Sequence, residues 1–383
     1  MTTLTPAASP RTDRRRSRLA GVDAARGLAV LGMVAVHVLP PFDDDGGVSL
    51  PEQIAGGRSS AAFAVLAGVG VALATRRGTD RWRSRLRLLL RALLIGALGL
   101  HLGGLDVEVA VILAYYAVFF VLLLPFLGWP PRWLLAAAAV VALLAPVLSY
   151  RVRPSLPSEG FANPTWSSLQ DPAVLLSDLL LTGVYPAVPW AAYLLTGLAV
   201  GQLALDRTST AVRLAVAGAA LWAAASAASA LLLGPLGGYT AIGALIDETD
   251  PEVVAEAIGP SFFGNVPTES WWFLAVDARH SSTTPDLVGT TGTALLALGV
   301  CLLLTRRTGP LLAPLAAVGS MPLTVYSAHL YVLHWTDSTD PTRYYLLQVG
   351  TALVVAPLWR RYVGRGPLEA ALALVGRTVR APT

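Results

Sequence analysis

Apolar runs of about 18 residues or more recur from residue 22 to residue 362, and no other feature constrains the chain as strongly. A helix of that length crosses a hydrocarbon core roughly 30 Å thick. Inside a bilayer each backbone N–H and C=O must find a partner within the protein, which favours helices. Charged residues make up 14% of the chain, where a soluble domain carries about a quarter. An all-α polytopic bundle is therefore expected. Ten spans can be placed: 22–40, 58–75, 86–104, 107–128, 132–150, 186–204, 211–233, 285–304, 311–334 and 344–362. Between the fifth and sixth, "DPAVLLSDLLLTGVYP" is apolar over too short a stretch to cross, and reads as a re-entrant or interfacial helix.

The charges support one orientation. With the N-terminus inside, 23 of the 28 arginines fall in inner segments and 19 of the 24 acidic residues in outer ones. This is the positive-inside asymmetry, and it places both termini in the cytoplasm. Residues 1–20 read as a disordered basic tail, 21–372 as one transmembrane domain with outer loops at 151–185 and 235–284, and 373–383 as a cytoplasmic tail. The first apolar run contains Asp23 and Arg26 and no cleavage site follows it, so it reads as an uncleaved span. Cys301 is the single cysteine, which excludes an internal disulfide, and the chain has no lysine to form a Schiff base.

Charged and polar residues inside spans are costly and mark candidate function. Asp23 and Arg26 are three apart, on one helix face, and can pair. Arg58 enters the second span from the acidic side, beside Ser59; its bland reading is a salt bridge to Asp43, Asp44 or Asp45. "GSMPLTVYSAHLYVLHW" sets Ser320, Tyr326 and His329 in an otherwise apolar span. All five histidines (His37, His101, His280, His329, His334) lie toward the outer side, where imidazole chemistry near neutral pH would act. His101 reads as a helix end at the interface. The five-residue spacing of His329 and His334 does not suit a two-histidine metal clamp, and no metal is expected. No phosphate loop and no Gly-x-Ser-x-Gly elbow occurs.

"RLAGVDAARGLAVLGMVAVH" resembles the first span of the transmembrane acyltransferase superfamily. That group includes bacterial heparan-alpha-glucosaminide N-acetyltransferase-like proteins and the acyltransferase-3 enzymes. "GGRSSAAFAVLAGVG", "YPAVPWAAYLLTGLAVGQL" and "GPLEAAL" resemble the same bacterial relatives, so the likeness runs from about residue 18 to 372. The resemblance implies transfer of an acyl group, expected to be acetyl, from cytoplasmic acyl-CoA to an extracytoplasmic saccharide or lipid-linked acceptor. Arg26 and His37 match the acyltransferase-3 spacing of Arg, ten residues, His. His37 would be general base or acyl carrier, Arg26 would hold the donor, and Asp23 would orient Arg26. In the heparan enzyme the catalytic histidine lies in the loop after the first span; here "LPPFDDDGGVSLPEQIAGG" has none, so that role falls to His37.

Arg58, Ser59, Tyr185, Trp190, His280, Ser320, Tyr326 and His329 are the expected substrate-binding residues. Acyl-CoA is expected as donor substrate, with no permanently bound cofactor. The expected partners are the bilayer and the acceptor, with no nucleic acid and a homodimer left open, in a bacterial plasma membrane. The alternatives are a transporter of a small or lipid-linked solute and an inactive envelope assembly factor.

Overall fold

The computed structural model describes residues 10–76, 81–259, 262–336 and 338–378. In chain order its α-helices are α1 (Pro10–Val38), α2 (Leu50–Ala55), α3 (Arg58–Thr75), α4 (Arg81–Gly103), α5 (Leu113–Leu123), α6 (Pro131–Val152), α7 (Pro172–Ser177) and α8 (Ala187–Val200). They continue as α9 (Thr208–Leu233), α10 (Gly238–Gly243), α11 (Pro251–Ile258), α12 (Thr284–Arg307), α13 (Ala313–Ser320), α14 (Pro322–Trp335), α15 (Pro341–Tyr362) and α16 (Pro367–Thr378). Among the described residues the β structure is one isolated bridge, Phe42 to Val48. The expected all-α class holds. The first helix reaches back to Pro10, into the segment expected as a tail, while residues 1–9 lie outside the described residues.

Among the described residues, six helices are long and apolar enough to cross a membrane: Ala20–Val38, Leu50–Thr75, Arg81–Gly103, Pro131–Ser155, Thr208–Leu233 and Thr284–Arg307. Pro172–Thr182 and Ala187–Val200 make a seventh if taken as one span, although they bend by 54°. That bend falls on the stretch expected to be re-entrant, and its geometry is that of a broken span or re-entrant loop. The other expected spans differ for local reasons. The segment at 107–128 condenses to an apolar helix over Leu113–Phe126. The segment at 311–334 is two helices, because Pro322 has no N–H to continue the ladder and the backbone turns at Met321 (φ −135°, ψ 50°). α15 is 22 residues long, but Arg343 and Gln348 dilute its apolar character.

The helices that position the site are packed by their smallest residues. α1 lies against α13, α12 and α3, and α3 lies against α8. At the α1–α13 crossing a Cβ on Gly27 would overlap the Leu315 carbonyl, and one on Gly319 would overlap the Asp23 carbonyl. Backbones in contact at this point are what small residues at membrane-helix crossings allow. Around it, Val22, Val30, Met33, Leu66, Leu298 and Leu302 belong to one buried cluster that also takes in α4, α5 and α8.

Gly319→Val should force α13 away from α1, and overpacking of this kind costs about 1–3 kcal/mol. The melting temperature in detergent should fall accordingly. Gly350→Val is the control, since a Cβ there meets nothing within 4 Å. Equal melting temperatures for the two variants would contradict the close crossing.

Candidate active site

Two cavities open at different levels of α1, and the expected catalytic residues divide between them. Arg26 and Ser320 line the first, of about 240 Å³, together with Arg91, Tyr116 and Glu369. His37, Ser59, Tyr185 and His280 line the second, of about 640 Å³. His37 follows Arg26 by eleven positions, which at 1.5 Å per residue is roughly 16 Å along the helix.

In the first cavity the Arg26 guanidinium bonds Asp23 at 3.3 Å, as the i, i+3 spacing anticipated, and donates to the Leu66 carbonyl at 3.2 Å. The Arg91 guanidinium lies 5.6 Å from the centroid of the Phe120 ring. The break before α14 forms one wall. There the Glu369 carboxylate accepts from the backbone N–H of Leu323 at 2.8 Å and of Thr324 at 3.2 Å, and from the Thr324 hydroxyl at 2.6 Å. A carboxylate at a helix N-terminus satisfies orphan donors and complements the helix dipole. Ser320 lines the cavity but donates its own hydroxyl to the Ala317 carbonyl at 2.7 Å.

His37, which lines the second cavity, belongs to the arrangement with most chemical content. His37 Nδ1 lies 3.1 Å from His329 Nε2, and His329 Nδ1 lies 2.7 Å from the Gln348 amide oxygen. The two imidazoles stack, with centroids 5.3 Å apart, and the Tyr326 ring meets His37 edge-on at 6.3 Å. In the tautomer that pairs this amide oxygen with the ring, His329 carries its proton on Nδ1 and offers Nε2 as acceptor, while the Gln348 amide nitrogen is buried without a partner among the described residues. His37 must then donate from Nδ1, which leaves its Nε2 lone pair free. A second-residue partner fixing a tautomer is how a histidine becomes a directed base.

On the far side of the cavity His280 stacks on Trp190 at 6.4 Å and meets Tyr185 edge-on at 5.6 Å. Trp190 itself stacks on Phe119, and the Tyr185 hydroxyl reaches the Ala110 carbonyl at 3.4 Å. Arg279, on the same rim, pairs with Glu52 at 2.5 Å. His280 is held in the left-handed region (φ 55°) with Nδ1 buried and unpartnered.

Arg58 stands apart from both arrangements. It donates to the Gln53 carbonyl and lies 5.5 Å from the centroid of the Trp222 ring, beside a third cavity shared with Ser59. Neither Asp43, Asp44 nor Asp45 takes it as a partner among the described contacts; Asp43 instead accepts from Gly47 N–H at 2.7 Å. His101 bonds the Tyr331 hydroxyl at 2.7 Å, and His334 lies 3.4 Å from the Asp106 carbonyl. Sequence reasoning did not single out Gln348, Arg91, Glu369 or Arg279. Gln348 alone left a readable trace, as a lone amide in the apolar run after Tyr345.

The family model for the heparan-alpha-glucosaminide N-acetyltransferase catalytic region matches residues 18–232, more than half of the chain. The chain belongs to that family. Comparison with curated proteins finds no match. The family match takes in α1 through α8 and most of α9, and with them Asp23, Arg26, His37, Arg58, Ser59, Tyr185 and Trp190. His280, Ser320, Tyr326, His329, Gln348 and Glu369 lie beyond it. The acetyltransferase family therefore accounts for one imidazole of the stacked pair, and α14 supplies the other.

His280 lies outside the spans, and its burial, reinforced by the Arg279 guanidinium, pushes its pKa down to about 4 from the ordinary 6.5. The unfolded chain then takes up the proton first as pH falls, so the stability contributed by neutral His280 is complete above pH 6.5 and is lost as pH drops toward 4. Thermal melting between pH 8 and 4 should show a plateau followed by a fall across that window. His280→Asn, a residue that tolerates positive φ, should flatten the fall. An unchanged slope in the variant would assign the acid sensitivity to other groups.

Proposed function

We propose that this acetyltransferase-family protein moves an acetyl group from cytoplasmic acetyl-CoA to a hydroxyl or amine of an extracytoplasmic glycan or related acceptor. In this reading the bundle has ten spans in a bacterial plasma membrane, with both termini cytoplasmic. The observation that carries it is the Gln348–His329–His37 chain of contacts, in one tautomer of which His37 keeps an unprotonated Nε2 at the larger cavity.

The chemistry follows from that geometry. The acceptor lies in the larger cavity with its O–H or N–H against His37 Nε2. As the proton passes to His37, the acceptor oxygen or nitrogen bonds the acetyl carbonyl carbon. The thioester C–S bond breaks, and the departing CoA sulfur takes the proton from His37. His329 stabilises the transient imidazolium through its Nε2 acceptor. Arg26 and Arg91, at the other end of the helix pair, suit the anionic part of the donor, since guanidinium forks match phosphates. The roughly 16 Å between the two levels is a distance that an extended pantetheine arm covers. Asp23 holds Arg26 in place. Arg58 is left as a residue of the third cavity.

The breaks at Met321 and at Gly183–Pro186 also suit a solute transporter, whose binding sites are typically built from discontinuous helices. A transporter would not turn over acetyl-CoA. Purified protein in nanodiscs should hydrolyse acetyl-CoA slowly and transfer from it to acceptor. His37→Ala should lower that rate by about 10²–10⁴-fold, the usual contribution of a general base, without changing the melting curve. Full activity in His37→Ala would end the assignment. Gln348→Leu tests the tautomer separately: kcat should fall with KM for acetyl-CoA unchanged, and Gln348→Glu should restore part of it. Equal loss in both terms would make Gln348 a packing residue only.

A further inference from the structure

A groove of about 490 Å³ runs along the outside of the bundle between α14 and α15, and it shares a wall with the site. α15 is tied down at both ends. Near its start the Tyr344 hydroxyl donates to the Val332 and Thr336 carbonyls at 3.0 Å. Near its end Ala356 is buried with Leu31, Val318 and Met321. Between the ties, Ala328 faces Thr351 and Ala352, side chains too small to close the gap. From Tyr344 to Trp359 the groove is about 22 Å long, more than the half-thickness of a roughly 30 Å hydrocarbon core.

Val325, Val332, Leu347 and Val355 make apolar walls, and His329, Gln348 and Tyr344 lie toward one end. Toward the other end are Thr351, Trp359 and Thr324, whose hydroxyl is taken by Glu369. That end abuts the acceptor cavity: His329 lines the groove and bonds His37, which lines the cavity, and the first turn of α15 touches both through Pro341 and Tyr344. An occupant that matches this layout has a hydrocarbon tail and a polar head at the histidine end. We propose that the groove holds the tail of a lipid-linked acceptor, a single-chain glycolipid entering sideways from the bilayer with its sugar hydroxyl presented to His37. The proposal rests on the acetyl-transfer reading and narrows its acceptor class. A soluble saccharide would need no apolar groove beside the base.

The test uses dodecyl β-glucoside carrying a terminal diazirine, with the full-length protein in phosphatidylglycerol nanodiscs. Photolabelling should saturate on peptides from α14 and α15, be competed by dodecyl but not methyl β-glucoside, and fall at least tenfold in Ala328→Trp. Labelling of α4 and α9 should stay unsaturable. In transfer assays with acetyl-CoA, KM should be at least tenfold lower for dodecyl than for methyl β-glucoside. Ala328→Trp should erase that preference and leave transfer to methyl β-glucoside unchanged. If Ala328→Trp does not melt as the native protein does, Ala352→Phe replaces it.

Labelling spread evenly over all lipid-facing helices, or equal KM values for the two glucosides, would overturn the groove assignment while leaving acetyl transfer standing. Saturable groove labelling without transfer to either glucoside would overturn the acetyl-transfer reading and keep the tail site.

Discussion

The contact between α1 and α13, with Gly27 and Gly319 each leaving no room for a Cβ, sets the geometry on which both cavities depend. Bringing the two backbones together there fixes the axial position of α14, which follows α13 after a single break. Arg26 consequently faces the broken end of the α13–α14 pair, and His37 faces His329 further along. In hydrocarbon the association of helices relies on close packing and interhelical hydrogen bonds rather than on exclusion of water. A crossing without side chains between the backbones is therefore a structural origin for the site. The Glu369 carboxylate at the N-terminus of α14 completes it by satisfying the donors that the break exposes.

Much of the fold is legible in the sequence because bilayer thickness and the demand for internal hydrogen bonds leave few options. The apolar runs mark the helices, and the pairing of Asp23 with Arg26 follows from their spacing. What was not legible is which faces meet. His37 and His329 are 292 positions apart, and no periodicity connects them. Gln348 carries its meaning only once α15 is seen to lie beside α14. Arg91 was hidden in a run of arginines that topology already explained, and Glu369 in a stretch read only as a likeness to relatives. The break at Met321 had its signal in Pro322, but the surrounding apolar residues read as one continuous span. Arg58 has partners that the sequence pattern does not reveal. Expected to bind substrate, it lies against the Gln53 carbonyl and the Trp222 indole, at the edge of a cavity it shares with Ser59.

The family match covers the part of the chain that holds Arg26 and His37 and stops before His329 and Gln348. That division has a physical consequence. An imidazole in a span can be tolerated as a neutral polar group if one nitrogen finds a partner, and by itself it specifies no chemistry. A second imidazole beside it, itself within hydrogen-bond distance of an amide, couples the tautomers of the two rings, so that fixing one fixes the other. The helices beyond residue 232 thus place an imidazole beside His37 and an amide behind that imidazole. Since His329 and Gln348 line the apolar groove and also make the contacts that lead to His37, α14 and α15 join that groove to the histidine pair.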